Sequence, residues 1–273
     1  MNYIVSAAMY GTAPLASVLD EVKKAGADTV DLWPKPHGDH REQMDQLGLD
    51  QAEALFEEHG VRLGATTRYD LGPGQLSNEI GVLHRLGGKV LVTGAKRPQG
   101  TTVKEQVRNF VESMKKDAEI AANHGITIGI ENHASTALFT PDSLRYFAEI
   151  IDFPNFGLAL APYHLPQDPL AIASLIADLD EKLVFFQAWE YGMGCMEKLP
   201  KEQELLQMPG RGSLDFEPIV AALEKANYQG WTEIFMHPTP RGIPIHETND
   251  EVTAEINRSR DYLERCLAAV AST

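Results

Sequence analysis

Short apolar runs alternate with longer helical patterns along the whole of this 273-residue chain, and no other feature of the sequence constrains its fold as much. The predicted strands are Tyr3–Ala8, Thr29–Trp33, Val61–Ala65, Lys89–Thr93, Ile126–Ile130, Phe156–Leu160, Leu183–Ala188 and Gly230–Met236. Helical patterns follow them over Leu15–Ala25, Leu49–His59, Leu76–Leu86, Val103–His124, Asp142–Ile151, Pro169–Leu179, Phe216–Ala226 and Asn249–Ala271. Runs such as Ile126–Ile130 are apolar on both faces, the pattern of a parallel sheet covered by helices. Repeated strand–helix units with right-handed crossovers build such a sheet. Eight of them in this length predict an α/β chain folded as a single (β/α)8 barrel over residues 1–273, rather than an open doubly wound sheet. No G-x-G-x-x-G follows the first strand and no GxxxxGK[ST] is present, so no nucleotide cofactor is expected.

Charge narrows the partners. With 24 Lys and Arg against 39 Asp and Glu, the net charge is −15. Nucleic acid and anionic membranes both require a basic face, so neither is an expected partner. The N-terminal MNYIVSAAMYG has no basic leader region, and no apolar run reaches the ~18 residues of a membrane span. Two cysteines, Cys195 and Cys266, are too few for a disulfide framework. The expectation is a cytoplasmic protein.

In (β/α)8 barrels the chemistry lies at the C-terminal ends of the strands. Those ends carry Trp33 and His37, Thr66 and Arg68, Glu131 and His133, Ala161 and His164, Gln187 and Trp189, and Glu233 and His237. Glu131 closes an apolar strand, and a carboxylate is costly to bury unless it is paired, hydrogen-bonded or bound to metal. Side chains alternate along a strand, so Glu131 and His133 share one direction, as do Glu233 and His237. Two carboxylates converging from opposite sides of a barrel suit either a divalent metal or two-sided proton transfer. Trp33 and Trp189 read as lining a ligand pocket, with core filling as the competing reading; His37, His40 and Cys195 read as loop residues. The stretch at about 190–214 is long for a strand–helix connection and reads as a lid or an oligomer contact. Arg211, within it, and Arg241 are candidates for holding a phosphate or carboxylate, with a surface ion pair as the competing reading.

ITIGIENH, FGLALAPYHL, VFFQAW and GRGSLDFEPIVAALEKANYQGWTEIF together resemble segments of the xylose isomerase-like TIM barrel superfamily. This is the sugar phosphate isomerase/epimerase group that spans ketose 3-epimerases, hydroxypyruvate isomerase, inosose dehydratase and endonuclease IV. The resemblance implies that Glu131 and Glu233 bind a metal and act as the acid/base pair, and that His164 contacts substrate. It also implies an Asp where this chain has Ala161 and a metal-binding His where it has Gln187. Ala161 has no donor atom, and an amide oxygen is a weak replacement for imidazole. A single divalent ion (Mn²⁺, Mg²⁺ or Zn²⁺) is therefore expected to be weakly held through Glu131, Glu233 and Gln187, or absent.

The activity implied is isomerisation or epimerisation of a sugar, sugar phosphate or polyol, by proton transfer next to a carbonyl between Glu131 and Glu233. His164, His133, His237, Trp33, Trp189 and Arg211 are the expected substrate contacts. Two alternatives remain: a lyase or dehydratase on a related polyol, and a barrel that binds a sugar or a protein without turnover. A homo-oligomer is compatible with either.

Overall fold

The computed structural model describes residues 1–96, 100–191 and 199–271. Eight parallel strands close into a barrel in chain order: β1 (Asn2–Ser6), β2 (Thr29–Leu32), β3 (Arg62–Thr67), β4 (Val90–Gly94), β5 (Thr127–Glu131), β6 (Phe156–Leu160), β7 (Leu183–Ala188) and β8 (Trp231–Ile234). The ring closes where Ile4 of β1 stands opposite Glu233 of β8. The outer layer contains α1 (Leu15–Lys24), α2 (His40–Leu47), α3 (Leu49–His59), α4 (Ser77–Arg85), α5 (Val103–His124), α6 (Pro141–Ile150) and α7 (Pro169–Leu179). Four-residue α8 (Lys201–Glu204) lies in the long connection, and α9 (Glu217–Lys225) and α10 (Asn249–Ala271) complete the ring. The (β/α)8 expectation holds.

Local chemistry sets the boundaries. Thr102 accepts from the Glu105 amide while Glu105 reaches back, a capping box that starts α5. Gly125 ends it with φ of 66°, a left-handed conformation that costs glycine little. Asp168 caps α7, with Pro169 as its first residue.

Three elements differ from the sequence expectation. β1 stops at Ser6, and Ala7–Tyr10 tighten into a 3-10 turn. The loop expected after β2 contains α2, whose polar His40–Leu47 has too weak an apolar stripe to be read as helix; its buried Arg41 instead forks onto Glu79. β3 runs to Thr67 because its last residues pair with β4.

Apolar packing divides into two parts. Most buried side chains lie between barrel and helices, while Ile4, Ala65, Val90, Val92, Ala159 and Phe185 form a separate cluster with Trp231 against it. These residues, drawn from β1, β3, β4, β6 and β7, plug the barrel interior, each large one stabilising it by roughly 1.5–3 kcal/mol. The polar layer rests on this plug. No described helix is long and apolar enough to cross a membrane.

Candidate active site at the barrel mouth

A cavity of about 400 Å³ opens at the C-terminal ends of the strands. Glu131, His133 and His164 line it, with Trp33, Trp189 and Phe235 as apolar walls and Lys96 and Arg241 at its exposed rim. His37, Tyr69 and His237 complete the lining that bears on the chemistry. Trp33 stacks on Phe235 at 4.7 Å and Trp189 on Tyr163 at 3.9 Å, so both indoles are fixed platforms rather than mobile covers.

Of the two glutamates only Glu131 lines this cavity. It is 2% exposed, and burial pushes its carboxyl up to about 7. His164 Nε2 lies 3.6 Å from its Oε1. Burial drives that imidazole down to about 3, so the contact at neutral pH is with an uncharged ring. Glu233 lies fully buried, side by side with Gln187 in the β7–β8 register. The Gln187 amide donates to Glu233 Oε2 at 3.1 Å. Burial raises Glu233 as well, to about 7.

Beside Glu233 lies Asp31 of β2, a third carboxyl that the sequence reading passed over. Trp33 Nε1 and Thr67 Oγ1 donate to its Oδ2 at 2.8 and 2.6 Å. Asp31 Oδ1 and Glu233 Oε1 find no other donor, while the two carboxyls lie within hydrogen-bonding reach of each other. Burial, reinforced by the Glu233 charge, holds Asp31 well above the usual carboxylate range. A protonated carboxyl facing an ionised one satisfies both orphaned oxygens. A lone acid within the apolar TVDLW was the available signal, the same one that identified Glu131.

The histidines divide by orientation. His133 and His237 donate from Nδ1 to the carbonyls of Ala134 and Pro238, at 2.8 and 3.0 Å. With Nδ1 committed to a backbone carbonyl, Nε2 is the ring atom that each presents for a substrate hydroxyl. Burial, with smaller effects from His237 and Arg241, lowers His37 to about 3, and burial together with the Arg241 charge lowers His237 to about 4. His37, read as a loop residue, belongs to the cavity.

Arg211 stands apart from the site. It forks onto Glu255 of α10 at 2.6 Å through both Nε and a terminal nitrogen, and the arginine at the mouth is Arg241. The long connection is anchored rather than loose where it is described. Glu190 accepts from the Leu214 and Gly212 amides, and its carboxylate fills the space a side chain at 212 would need. Gln207 accepts from the His237 amide at 2.8 Å, tying the connection to the mouth. Residues 192–198, Cys195 among them, lie outside the described residues.

A divalent ion does not fit this donor set. Ala161 presents a methyl group, the Gln187 amide is turned onto Glu233, and Glu233 faces Asp31. Among the described residues no three His, Cys, Asp or Glu side chains are grouped to hold a metal. No step is assigned to one.

Comparison with known proteins agrees with this architecture. Residues 19–266 match the family described as xylose isomerase-like TIM barrel. An inosose dehydratase of Clostridium beijerinckii is 23% identical over 234 residues, covering 76% of this chain and 75% of its own. A 2-oxo-tetronate isomerase of Pectobacterium atrosepticum is 29% identical over 160 residues, or 56% and 55% of the two chains. Among solved structures, the IolI protein with a bound zinc atom superposes with a TM-score of 0.76 at 16% identity, covering 97% of this chain and 99% of its own.

Proposed function

This chain belongs to the xylose isomerase-like TIM barrel family, and from that premise we propose that it is an isomerase or epimerase of a sugar or related polyol acid, working by proton transfer next to a carbonyl. The observation that carries the proposal is Glu131, a carboxyl buried in the lining of an aromatic-walled cavity, with its pKa brought to about 7. A general base works best when its pKa lies near the operating pH, and here desolvation alone brings it there. Glu233 is its partner carboxyl, set behind the cavity and restrained by Gln187 and Asp31.

In this reading substrate lies between the Trp33 and Trp189 walls, its hydroxyls donating to the Nε2 atoms of His133 and His237. Glu131 removes the proton from the carbon beside the carbonyl, that C–H pair becomes the C=C bond of an enediolate, and the carbonyl oxygen takes the negative charge. Return of the proton to the former carbonyl carbon, with the hydroxyl proton of the enediolate passing to the neighbouring oxygen as the new carbonyl forms, gives the isomer; protonation of the original carbon on the opposite face gives the epimer. Glu131 alone reaches the cavity, which favours the one-base isomerisation. Dehydration is the second reading, supported by the similarity to an inosose dehydratase.

The test is hydrogen exchange. Incubated in D2O with a panel of ketoses and 2-oxo polyol acids, the protein is expected to exchange the proton next to the carbonyl, as read by NMR. Glu131→Gln is expected to abolish that exchange while leaving the fold intact. Exchange that survives the substitution unchanged would overturn the assignment.

A further inference from the structure

We infer that Tyr69 is a catalytic residue, the hydrogen-bond donor that stabilises the oxyanion in place of a metal ion; the inference rests on the proton-transfer reading above. Enediolate chemistry needs an electrophile at the carbonyl oxygen, and among the described residues no three His, Cys, Asp or Glu side chains are grouped to seat a cation. Tyr69 follows β3 and lines the same cavity as Glu131. Its hydroxyl is buried beside the Glu131 carboxyl and the Gln187 amide, in the interval that separates the two glutamates. In strict geometry that hydroxyl closes no hydrogen bond, and its polar neighbours are the Glu131 carboxyl and the Gln187 amide, so a buried phenol O–H borders the cavity next to the proposed base.

The surroundings hold the ring still. Trp33 meets it edge-on at 5.3 Å and His37 at 6.0 Å. The backbone on either side is clamped: Thr93 Oγ1 donates to the carbonyls of Arg68 and Leu71 at 2.9 and 3.1 Å. The guanidinium of Arg68 pairs with Asp70 at 2.8 Å and with buried Glu79, which also receives Arg41. A donor fixed in this way incurs little reorganisation when charge develops opposite it, which is what makes an oxyanion donor effective in a dry site. The chemistry balances without a co-reactant. Glu131 takes the proton, the carbonyl π pair moves to oxygen, and Tyr69 keeps its own proton while sharing it with that oxygen. The ligand class follows: a substrate whose reacting carbonyl lies within reach of both the Glu131 carboxyl and a phenol hydroxyl.

The experiment compares wild type, Tyr69→Phe and Glu131→Gln in the D2O exchange assay with a ketohexose and a 2-oxo-tetronate, with and without EDTA. Trp fluorescence reports binding, and titration calorimetry with Mn²⁺ and Zn²⁺ reports metal uptake. The expected result is EDTA-insensitive exchange in wild type and a loss of about 10²–10³ in kcat for Tyr69→Phe with KM within a few fold. Since the phenol oxygen is an unsatisfied buried group, its removal should leave folding intact. As a control, 3-fluorotyrosine at position 69 keeps the hydroxyl and should retain most of the turnover. Full activity in a folded Tyr69→Phe alongside an inactive Glu131→Gln overturns the role of Tyr69 and spares the proton-transfer reading. Wild type inert toward both probes, or a Glu131→Gln that exchanges normally, overturns both. A stoichiometric ion that is required for exchange and lost in Glu131→Gln also overturns the inference, since the electrophile is then the ion.

Discussion

The side-chain amide of Gln187 donates to Glu233 Oε2 at 3.1 Å, so the residue standing where the family resemblance implies a metal-binding histidine is turned onto a carboxylate instead. An N–H aimed at an acid is a donor where a cation needs a lone pair. That bond joins β7 to β8 within the polar layer and leaves Gln187 Oε1 unpaired.

That arrangement should be reversible. Ala161→Asp combined with Gln187→His replaces a methyl and a committed amide with an anionic oxygen and an imidazole nitrogen, the donors that divalent ions prefer. Without metal the double variant should be less stable than wild type, because it buries a further carboxylate. Mn²⁺ or Zn²⁺ should then raise its Tm and leave wild type unmoved. A thermal shift equal in both proteins would count against the placement of the site.

The part of stability that comes from the buried carboxyls Glu131 and Glu190 should fall as pH rises, opposite in sign to the part that comes from the buried histidines. Burial lifts Glu131 and Glu190 from the ordinary 4.5 to about 7, so the folded state binds more protons than the unfolded state between those values. Their contribution is therefore fully present below about 4.5 and lost as pH climbs through 7, on the order of 1–3 kcal/mol for each group. Urea denaturation of wild type and Glu131→Gln at several pH values checks this for Glu131. The stability difference, variant minus wild type, should grow as pH rises from about 4.5 to 7, and a difference that stays constant with pH would reject the assignment.

With one carboxyl in the cavity, the proton should return on the face from which it left. Starting from substrate deuterated next to the carbonyl, isomerisation in H2O should carry part of the label to the neighbouring carbon. Complete washout together with inversion at the labelled carbon would instead mean that Glu233 acts from the far face, as a two-base epimerase requires.

The two arginines singled out by sequence should behave differently. Arg241→Ala removes a guanidinium from the cavity lining, and KM for a carboxylate-bearing substrate should rise about tenfold, with little change for a neutral ketose. Arg211→Ala should leave kinetics alone and lower stability by ~1 kcal/mol, since its exposed end is screened and Glu255 keeps Arg258. Carboxylate selectivity that follows Arg211 would reverse this assignment.

Much of the barrel was legible because each apolar run needs a helix to cover it, and the period changes from two to 3.6 at each junction. Glu131 and Glu233 were legible as carboxylates ending such runs. Two kinds of information were not. Tyr69 and Lys96 enter the cavity from loops whose course is set by contacts remote in sequence, such as Thr93 on the Arg68 carbonyl. Sequence spacing also could not show that Glu233 lies behind the cavity wall while Glu131 lies on it, since both sit at equivalent strand ends. Arg211 misled for a similar reason: proximity along the chain to the mouth of β7 concealed a partner on α10.

Asn132 grips both backbone groups of Ala161, donating to its carbonyl at 3.0 Å and accepting from its amide at 2.7 Å. The main chain at 161 is therefore held in place whatever side chain it carries, and the direction of its Cβ is inherited rather than negotiated. Alanine and aspartate, like glutamine and histidine, are neighbours in the genetic code. A substitution at 161 can consequently change the donor atoms at that position while the frame that carries them stays where it is.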